Sequence, residues 1–401
     1  RSDLYRKFNI ALFNAFRRHD LDLLLLGTDE AATSKPYKVM PFLQWTAQSV
    51  GNWIGAYCTH WYVYGRTTDD LTLWQDANKY FAALVDLANQ SSNKRYILGE
   101  WGFSPAYRNE TVPMWDDTGY HARLPEKRTE SVLQKCEVGL AAMNQGAAAC
   151  VSWSFVDYPD PFIIENGDSE VEKAVYDAGL SGYHMDRKYN KWGMFRWEST
   201  DRDYSSYEEL YALGWMAKLF KKNASVLKMS FRDDNLRGGA VLNPDLSVTI
   251  AVINRDEAKE VEIDCSSWKT KRDGSSSFHQ PFRRIVYDAA AVPVNAFNDL
   301  QKFTDLVEAR EGLISVRLPA KSMTFLTTDY QDVIPERVGQ VSVSDGILSW
   351  SPVASKDHVY YRVYRDGKQI ASTVATGLTV KEGKGKYSVS SVDRWNNEGR
   401  R

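Results

Sequence analysis

The sequence predicts an α/β unit with a parallel sheet, followed by all-β structure. Over the first 222 residues, amphipathic helical stretches alternate with short apolar runs, which is the pattern of parallel strands joined by helices. After Asn223 the hydrophobic period changes, and alternating strands follow one another between turn-rich segments, as in antiparallel sandwiches. The chain has 401 residues, which leaves room for two or three domains.

In the first unit, helices are predicted where apolar residues recur every three or four positions, as Leu4, Phe8, Leu12 and Phe16 do. The predicted helices cover residues 4–18, 41–55, 69–90, 129–146 and 205–221. Four apolar runs between them are predicted as strands, and each ends in polar or aromatic residues: 21–30, 57–65, 96–102 and 149–155. The first of these runs is expected to be a buried strand from Leu21 onwards.

Two all-β units are predicted after the first, over residues 223–332 and 333–401. Alternating runs in the first indicate an antiparallel β-sandwich, in which residues 298–310 are expected to form a small helix. The last unit has four alternating runs and a tight hairpin turn at Arg365–Lys368. It resembles a fibronectin type III module, and we expect it to lack the final strand that such a module has after Asn396–Gly399.

Composition excludes several classes of function. The net charge of −2 gives no electrostatic basis for binding nucleic acid or an anionic membrane. A membrane-spanning helix needs about 18 or more consecutive apolar residues, and no apolar run in the sequence approaches that length. The four cysteines lack metal-ligand spacing, and we expect Cys58 and Cys150 to be small buried hydrophobic residues. No phosphate loop, zinc motif or nucleotide fingerprint is found, so neither a metal nor a cofactor is predicted.

The candidate functional residues stand at the strand ends. The run Tyr96–Gly102 places Glu100 between a glycine and a tryptophan, and the preceding run carries His60, Tyr62 and Tyr64. Because the carboxyl ends of strands in a parallel barrel converge on one face, where active sites are built, we expect these side chains to meet. A carboxylate beside a histidine and aromatic rings, in a chain with 13 Trp and 22 Tyr, indicates a site that binds and cleaves sugars.

Three further strand-end residues are predicted to contact the substrate. Trp153 is expected to form the floor beneath the sugar ring, Trp101 to pack the wall, and Asp29 to hydrogen-bond the substrate or form an ion pair at the rim. Structural roles remain open for several of them. Glu100 can equally be a salt-bridged glutamate at a strand end, and His60 and Trp153 can be core residues.

With these motifs in view, the first 222 residues resemble the second half of the (β/α)8 barrel of a clan A glycoside hydrolase. The resemblance rests on the run Leu98–Gly102 and on His60 with Tyr62 and Tyr64. The order of barrel, sandwich and fibronectin-like module is similar to that of glycoside hydrolase family 39, which includes β-xylosidases and α-L-iduronidase. The run Leu318–Met323 is also similar to the closing sandwich strand of such enzymes. Families 5 and 30 share the barrel motifs and are the nearest alternatives.

The resemblance implies a retaining O-glycosyl hydrolase that cleaves an oligo- or polysaccharide by double displacement, with Glu100 as the nucleophile on the seventh barrel strand. It also implies an acid/base glutamate on the fourth strand. If residues 21–30 are the fifth strand, the fourth lies before Arg1, and we expect an N-terminal segment or a companion chain to complete the barrel. Glu30 is disfavoured as this acid/base, because the donor of the clan stands three strands before the nucleophile.

Two other hypotheses remain open. The missing acid/base motif is compatible with a carbohydrate-binding protein on a degenerate barrel that has no catalytic activity. A weaker interpretation treats the sandwiches as an adhesion array. For the hydrolase and for the carbohydrate-binding protein, we expect a carbohydrate as the ligand. We also expect no membrane span and an extracytoplasmic location, which can be secreted, periplasmic or lysosomal. The sequence does not indicate which sugar or linkage is recognised.

Overall fold

The structure is a computed structural model, which describes residues 2–30, 36–63, 71–103, 125–152, 155, 158–159, 189–190, 194–195, 206, 208–268, 281–288, 300–301, 303–380 and 385–401. The three predicted units are retained as sequence-based divisions of the chain, and the helices and strands are described within them.

The first unit alternates helices with strands, as the sequence predicts. Its elements are α1 (Ser2–Arg18), β1 (Leu26–Glu30), α2 (Pro36–Val50), β2 (Ala56–Val63), α3 (Leu73–Ser92), β3 (Arg95–Phe103), α4 (Pro125–Asn144), β4 (Ala149–Ser152), β5 (Tyr158–Pro159), β6 (Tyr189–Asn190) and α5 (Glu209–Leu219). Strands β1 to β4 form one sheet in sequence order, and every neighbouring pair is parallel. Parallel neighbours need a long crossover, which α2, α3 and α4 supply.

The first strand is shorter than predicted. Residues 21–25 precede β1 as coil, and Leu21, Leu23 and Leu24 are 49%, 57% and 61% exposed. The prediction of a buried strand from Leu21 is therefore wrong. The reason is that hydrogen bonding to the segment that enters β2 begins only at Leu25, whose carbonyl oxygen accepts a hydrogen bond from the amide of Gly55. An apolar run alone does not fix where that pairing starts.

Helix α3 shows how the sheet is covered. Leu73, Ala77, Tyr80, Leu84 and Ala88 follow a helical period and are all buried on the face toward the sheet. The indole of Trp61, on β2, packs edge-on against the Tyr80 ring with the centroids 4.4 Å apart. Because successive side chains of a strand point to opposite faces, Trp61 on the helix side sends its neighbours His60 and Tyr62 to the other side of the sheet.

The second unit consists of antiparallel strands, as predicted. They are β7 (Ser225–Leu227), β8 (Leu236–Leu242), β9 (Val248–Asn254), β10 (Lys259–Asp264), β11 (Phe282–Tyr287), β12 (Leu306–Val307), β13 (Ala309–Arg310), β14 (Leu313–Leu318) and β15 (Ser322–Thr327). One sheet has the order β12-β11-β15-β9-β8-β7 and the other has the order β10-β14-β13. Apolar side chains from both sheets, among them Ile250, Val316 and Leu326, form the core of this unit.

No helix forms over the described part of residues 298–310, so that prediction is wrong. Residues 306–307 pair with the start of β11, and residues 309–310 pair with β14. Backbone hydrogen bonds to existing strands override the local helical pattern of this short segment.

A buried ion cluster joins the first unit to the second. Glu137 of α4 lies with one carboxylate oxygen 3.1 Å from Arg255 Nη1 and 3.5 Å from Arg237 Nε. The three side chains are between 0% and 3% exposed. Arg237 also donates to the carbonyl oxygen of Leu71, just before α3. A charge cluster buried to this degree fixes the position of the sandwich on helices α3 and α4.

The third unit has two three-stranded sheets, with the orders β16-β17-β20 and β19-β18-β21. Its strands are β16 (Ser342–Ser344), β17 (Ile347–Ser349), β18 (His358–Arg365), β19 (Lys368–Thr373), β20 (Gly377–Thr379) and β21 (Tyr387–Asp393). The predicted hairpin turn joins β18 to β19, where Asp366 and Gly367 both have positive φ, of 52° and 81°, as a type I′ turn requires. Its likeness to a fibronectin type III module stays a prediction.

The C-terminal segment is tied to this unit through Glu398. Burial raises the pKa of Glu398, but hydrogen bonds from Tyr364, Ser390 and Arg362 outweigh this effect. They hold the pKa at about 2, against an ordinary value of 4.5. The Ser390 hydroxyl donates over 2.7 Å, and Arg362 Nη1 donates over 2.8 Å. The ionised carboxylate therefore anchors residues beyond β21 against β18.

Candidate active site

A β-bulge brings the candidate carboxylate beside the candidate histidine. Strands β2 and β3 pair residue by residue up to Thr59 and Leu98, after which Gly99 is skipped and His60 pairs with Glu100. Bulges re-aim side chains and are common next to active sites. A Cβ atom on Gly99 would lie 2.2 Å from Cys58 Sγ, so the bulge has room for glycine only.

Glu100 is held by two side chains of the neighbouring strand. The Tyr62 hydroxyl donates to Glu100 Oε2 over 2.5 Å, and His60 Nδ1 lies 3.2 Å from the same oxygen. The Glu100 side chain is 26% exposed, and that of His60 is 12% exposed. The carboxylate is thus fixed on one oxygen and still reachable from solvent.

Asp29 joins the group from β1. Its Oδ1 lies 2.8 Å from His60 Nε2, and the Cys58 thiol donates to the same oxygen over 3.3 Å. Asp29 is the extra residue of a second bulge, between β1 and β2. Its side chain is 67% exposed. Asp29 therefore reaches His60 from the solvent side, and Glu100 lies at the other nitrogen of the imidazole.

The backbone before Asp29 is unusual. Thr28 and Asp29 have φ angles of 77° and 43°, in the left-handed region that β-branched residues such as threonine rarely adopt. The Thr28 amide donates to the Tyr5 hydroxyl over 2.8 Å, and its own hydroxyl donates to the carbonyl oxygen of Cys58 over 2.6 Å. Helix α1 and strand β2 thus hold a strained turn that aims Asp29 at His60. Such strain is concentrated at functional sites.

Cys58 acts as a neutral donor in this arrangement. Burial, followed by the hydrogen bond to Asp29, raises the pKa of the Cys58 thiol to about 12. The thiol therefore stays protonated at neutral pH and donates to the Asp29 carboxylate. This pKa argues against a nucleophilic role for Cys58, because the thiolate is the reactive form.

The contacts of His60 decide what this group of side chains can do. Its Nε2 faces Asp29 Oδ1 and its Nδ1 faces Glu100 Oε2, so the imidazole stands between the two carboxyl groups and fixes where each lies. A carboxylate oriented by a hydroxyl and an imidazole, and open to solvent, can act as a nucleophile or as a general base.

The structure separates Trp101 from this group. Trp101 is 5% exposed, its indole Nε1 donates to the carbonyl oxygen of Lys135 over 2.8 Å, and its ring packs at Gly139 of α4. It follows Glu100 directly, so the alternation of the strand turns it to the helix side of the sheet. The structure therefore places Trp101 in the packing between β3 and α4, and not beside Glu100.

The remaining predicted residues cannot be placed. Tyr64 and Trp153 lie outside the described residues, and so does the side chain of Glu30. Their roles at the site stay predictions. The group that the structure brings together consists of Glu100, His60, Tyr62 and Asp29, with Cys58 behind Asp29.

Two supporting residues were not predicted to belong to the site. Cys58 was interpreted only as a buried hydrophobic residue, although it stands two positions before His60 and so shares its face of β2. Gly99 precedes Glu100, and its importance depends on a bulge. The alternation of the strand could have identified Cys58. The bulge leaves no comparable signal in the sequence.

No group of three or more histidine, cysteine, aspartate or glutamate side chains that could hold a metal ion occurs among the described residues. Within the same part of the chain, no helix is long and apolar enough to cross a membrane. The four cysteines are free thiols.

Comparison with known proteins identifies similar folds. No family model matches the sequence, and no curated protein does. The family 51 α-L-arabinofuranosidase AbfB from Bifidobacterium longum has a similar structure, with a TM-score of 0.50 and 11% identity over 81% of this chain and 62% of that one.

Two family 30 structures, a xylanase and an endoxylanase, were also found. The family 30 subfamily 8 xylanase Xyn30A from Clostridium acetobutylicum gives a TM-score of 0.45 and 13% identity over 81% of this chain and 59% of that one. The family 30 endoxylanase from Clostridium papyrosolvens gives a TM-score of 0.42 and 13% identity over 81% and 70% of the two chains.

These similar structures are clan A glycoside hydrolases, whose (β/α)8 barrels carry additional β domains. The likeness concerns the fold, and the chain spans less than two thirds of the length of AbfB and of Xyn30A.

Proposed function

We propose that the protein is a retaining glycoside hydrolase that acts on an oligo- or polysaccharide, with Glu100 as its nucleophile. The observation that carries the proposal is the carboxylate of Glu100 at a strand end, held through Oε2 by Tyr62 and His60. Retaining glycosidases need one carboxylate that attacks the anomeric carbon and forms a covalent glycosyl-enzyme. Because both contacts fall on Oε2, we assign the attack to Oε1.

The surroundings of Glu100 suit this role. A nucleophile must be fixed in place, and the Tyr62 hydroxyl and the His60 imidazole, both at Oε2, serve this need. The Tyr62 hydroxyl also favours departure of the carboxylate when water hydrolyses the glycosyl-enzyme, since the negative charge returns to Glu100 in that step. The position of His60 at the same oxygen adds to this effect, and Asp29 holds the ring from its other side.

The second carboxyl group of the mechanism is assigned outside the described residues. In retaining enzymes the two carboxyl groups stand about 5–5.5 Å apart across the scissile bond. Asp29 contacts the far nitrogen of His60, with the imidazole between it and Glu100, so we give it a positioning role. The proposal further includes the order of units found in family 39, and an extracytoplasmic location, because a polymeric glycan cannot cross a membrane to reach an internal enzyme.

Covalent trapping tests the proposal without depending on the proton donor. The full chain is incubated with 2,4-dinitrophenyl 2-deoxy-2-fluoro glycosides of xylose, glucose, galactose and arabinose, and the peptides are analysed by mass spectrometry. Dinitrophenolate departs without protonation, so a glycosyl-enzyme can accumulate. We expect one fluoroglycosyl group on a peptide from β3, attached to Glu100.

The variants Glu100→Gln and Glu130→Gln are a matched pair for this experiment. Glu130 lies on α4 and forms an ion pair with Lys321, away from the strand ends. Glu100→Gln should abolish labelling and lower the turnover of the non-fluorinated glycosides by about 10⁴-fold or more, whereas Glu130→Gln should retain both. A label on another carboxylate, or near-normal turnover by Glu100→Gln, would refute the assignment. Saturable glycan binding without labelling or turnover would favour the non-catalytic carbohydrate-binding protein.

A further inference from the structure

A cleft lies between the helices of the first unit and the sandwich, apart from the candidate active site. It is formed by the start of α3, the end of α4 and the segment from β7 to β8, and it has a volume of about 650 Å³. Small-molecule sites typically enclose about 300–1,000 Å³ and favour the junctions between domains. The cleft shares no lining residue with the group around Glu100.

One part of the lining is apolar. Trp74 of α3 and Phe231 of the β7–β8 segment contribute aromatic rings, and Met143 and Met229 contribute thioethers. All four are partly buried. Aromatic faces bind the C–H faces of rings, and methionine adapts its shape to what it contacts.

Another part of the lining presents amides that are already fixed. Asn78 Nδ2 donates to the carbonyl oxygen of Trp74 over 2.7 Å, and Gln145 Nε2 donates to Asn78 Oδ1 over 2.7 Å. A primary amide has two donor hydrogens and two acceptor lone pairs, so each of these bonds uses only part of its capacity. Side chains ordered before the ligand arrives lower the entropic cost of binding.

The charges at the cleft are balanced. Asp233 accepts from Lys259 over 2.7 Å and from the Asn235 amide over 2.8 Å, and these contacts, that of Lys259 above all, hold its pKa below the ordinary value. Asp234 adds a second carboxylate and Lys228 a lysine. With Lys259 paired to Asp233, the two carboxylates are balanced by two lysines, so the lining favours a neutral ligand, and its carboxylate oxygens can accept hydrogen bonds from hydroxyl groups.

We propose that this cleft is a second carbohydrate site, which binds a neutral oligosaccharide without cleaving it. Ring faces, fixed amides and hydroxyl-accepting carboxylates are the three features that a neutral sugar chain needs, and the cleft combines them. The inference goes beyond the proposed function, because binding here requires neither Glu100 nor turnover.

Isothermal titration calorimetry on the full chain tests the proposal. The probes are neutral tetrasaccharides of glucose, xylose, arabinose and mannose, titrated into the Glu100→Gln background so that none is cleaved. Ser230 lines the cleft and is exposed, so Ser230→Trp fills it without disturbing the core. Ser344→Trp, at an exposed position of β16, is the matched control. Trp74→Ala is a second variant, accepted once its melting curve shows a folded protein.

We expect at least one probe to bind, with Ser230→Trp and Trp74→Ala weakening it at least tenfold and Ser344→Trp leaving it unchanged. Binding should increase the hydrogen-exchange protection of residues 74–78, 143–146 and 226–234. The proposal is overturned if no probe binds at 5 mM, if Ser230→Trp binds normally, or if protection is confined to residues 57–62 and 96–102. With Glu100 intact, Ser230→Trp should still turn over small aryl glycosides. Loss of oligosaccharide binding at the cleft and loss of hydrolase activity are therefore separate results.

Discussion

Replacing Tyr62 by phenylalanine tests the central contact of the candidate active site. Tyr62 is 7% exposed, and phenylalanine keeps its ring, so the substitution creates no cavity. It removes only the hydroxyl that donates to Glu100 Oε2 over 2.5 Å. In a retaining mechanism, Glu100 is neutral in the glycosyl-enzyme and regains its charge as water attacks. The variant should therefore slow the breakdown of the glycosyl-enzyme more than its formation.

The magnitude follows from the strength of the lost contact. A hydrogen bond to an ionised group contributes about 1.5–3 kcal/mol. At about 1.36 kcal/mol for each factor of ten in rate, complete loss corresponds to about 10- to 150-fold. The carboxylate charge is only partly developed in the transition state, and His60 still contacts the same oxygen. We therefore expect the lower end of that range, an approximately tenfold slower breakdown.

Pre-steady-state release of dinitrophenolate from an activated glycoside measures both steps. The burst amplitude should approach one equivalent per active site in Tyr62→Phe, and kcat and KM should fall together. Tyr96→Phe is the matched control, because the Tyr96 hydroxyl is buried on the next strand and pairs with the Thr59 hydroxyl at 2.8 Å. It should lower stability by about 1 kcal/mol and leave the burst unchanged. Equal kinetics in Tyr62→Phe and wild type, or equal losses in both variants, would refute the reasoning.

Three further substitutions test the structure around the site. Gly99→Ala brings a Cβ within 2.2 Å of Cys58 Sγ, so it should lower the free energy of unfolding by about 1–3 kcal/mol and reduce turnover. Adding Cys58→Ala should recover part of both, and denaturant titration that shows no recovery contradicts the explanation. Glu137→Gln removes the negative charge between two buried guanidinium groups and should cost about 3–5 kcal/mol in urea unfolding, a loss that would be disproved by a midpoint within error of wild type. Glu398 has a folded pKa of about 2 against 4.5, so its ionisation stabilises the protein above pH 4.5 and this contribution is lost as the pH falls towards 2. Glu398→Gln should flatten the melting temperature across that window, and parallel profiles for variant and wild type would contradict the assignment.

The order of elements was predictable because it depends on hydrophobic period alone. Helix α3 has apolar residues at helical spacing, and the strands after Asn223 alternate. Where the prediction failed, pairing decided the outcome. The leucines before β1 satisfy the pattern of a buried strand, yet hydrogen bonding to the segment that enters β2 begins only at Leu25. Residues 306–310 become strand because two existing strands accept them.

Four members of the candidate site were predictable, and the contacts between them were less so. Glu100, His60, Tyr62 and Asp29 stand at the ends of parallel strands, and the structure brings their side chains together. Trp101 was expected beside them and lies on the other face of the sheet. The period of two already excluded it, since a residue adjacent to Glu100 on a regular strand points away from Glu100.

The geometry of the site depends on irregularities that a periodic pattern cannot contain. In an unbroken ladder, Glu100 would pair with the residue after His60, and the two side chains would face opposite sides of the sheet. The bulge at Gly99 shifts the register by one residue, so that His60 and Glu100 become neighbours on the same face. The bulge at Asp29 makes the same shift on the other edge of β2. Two one-residue shifts on either side of one strand thus convert three separate strand ends into a single row of contacting side chains, and Gly99 is the position at which a methyl group would break it.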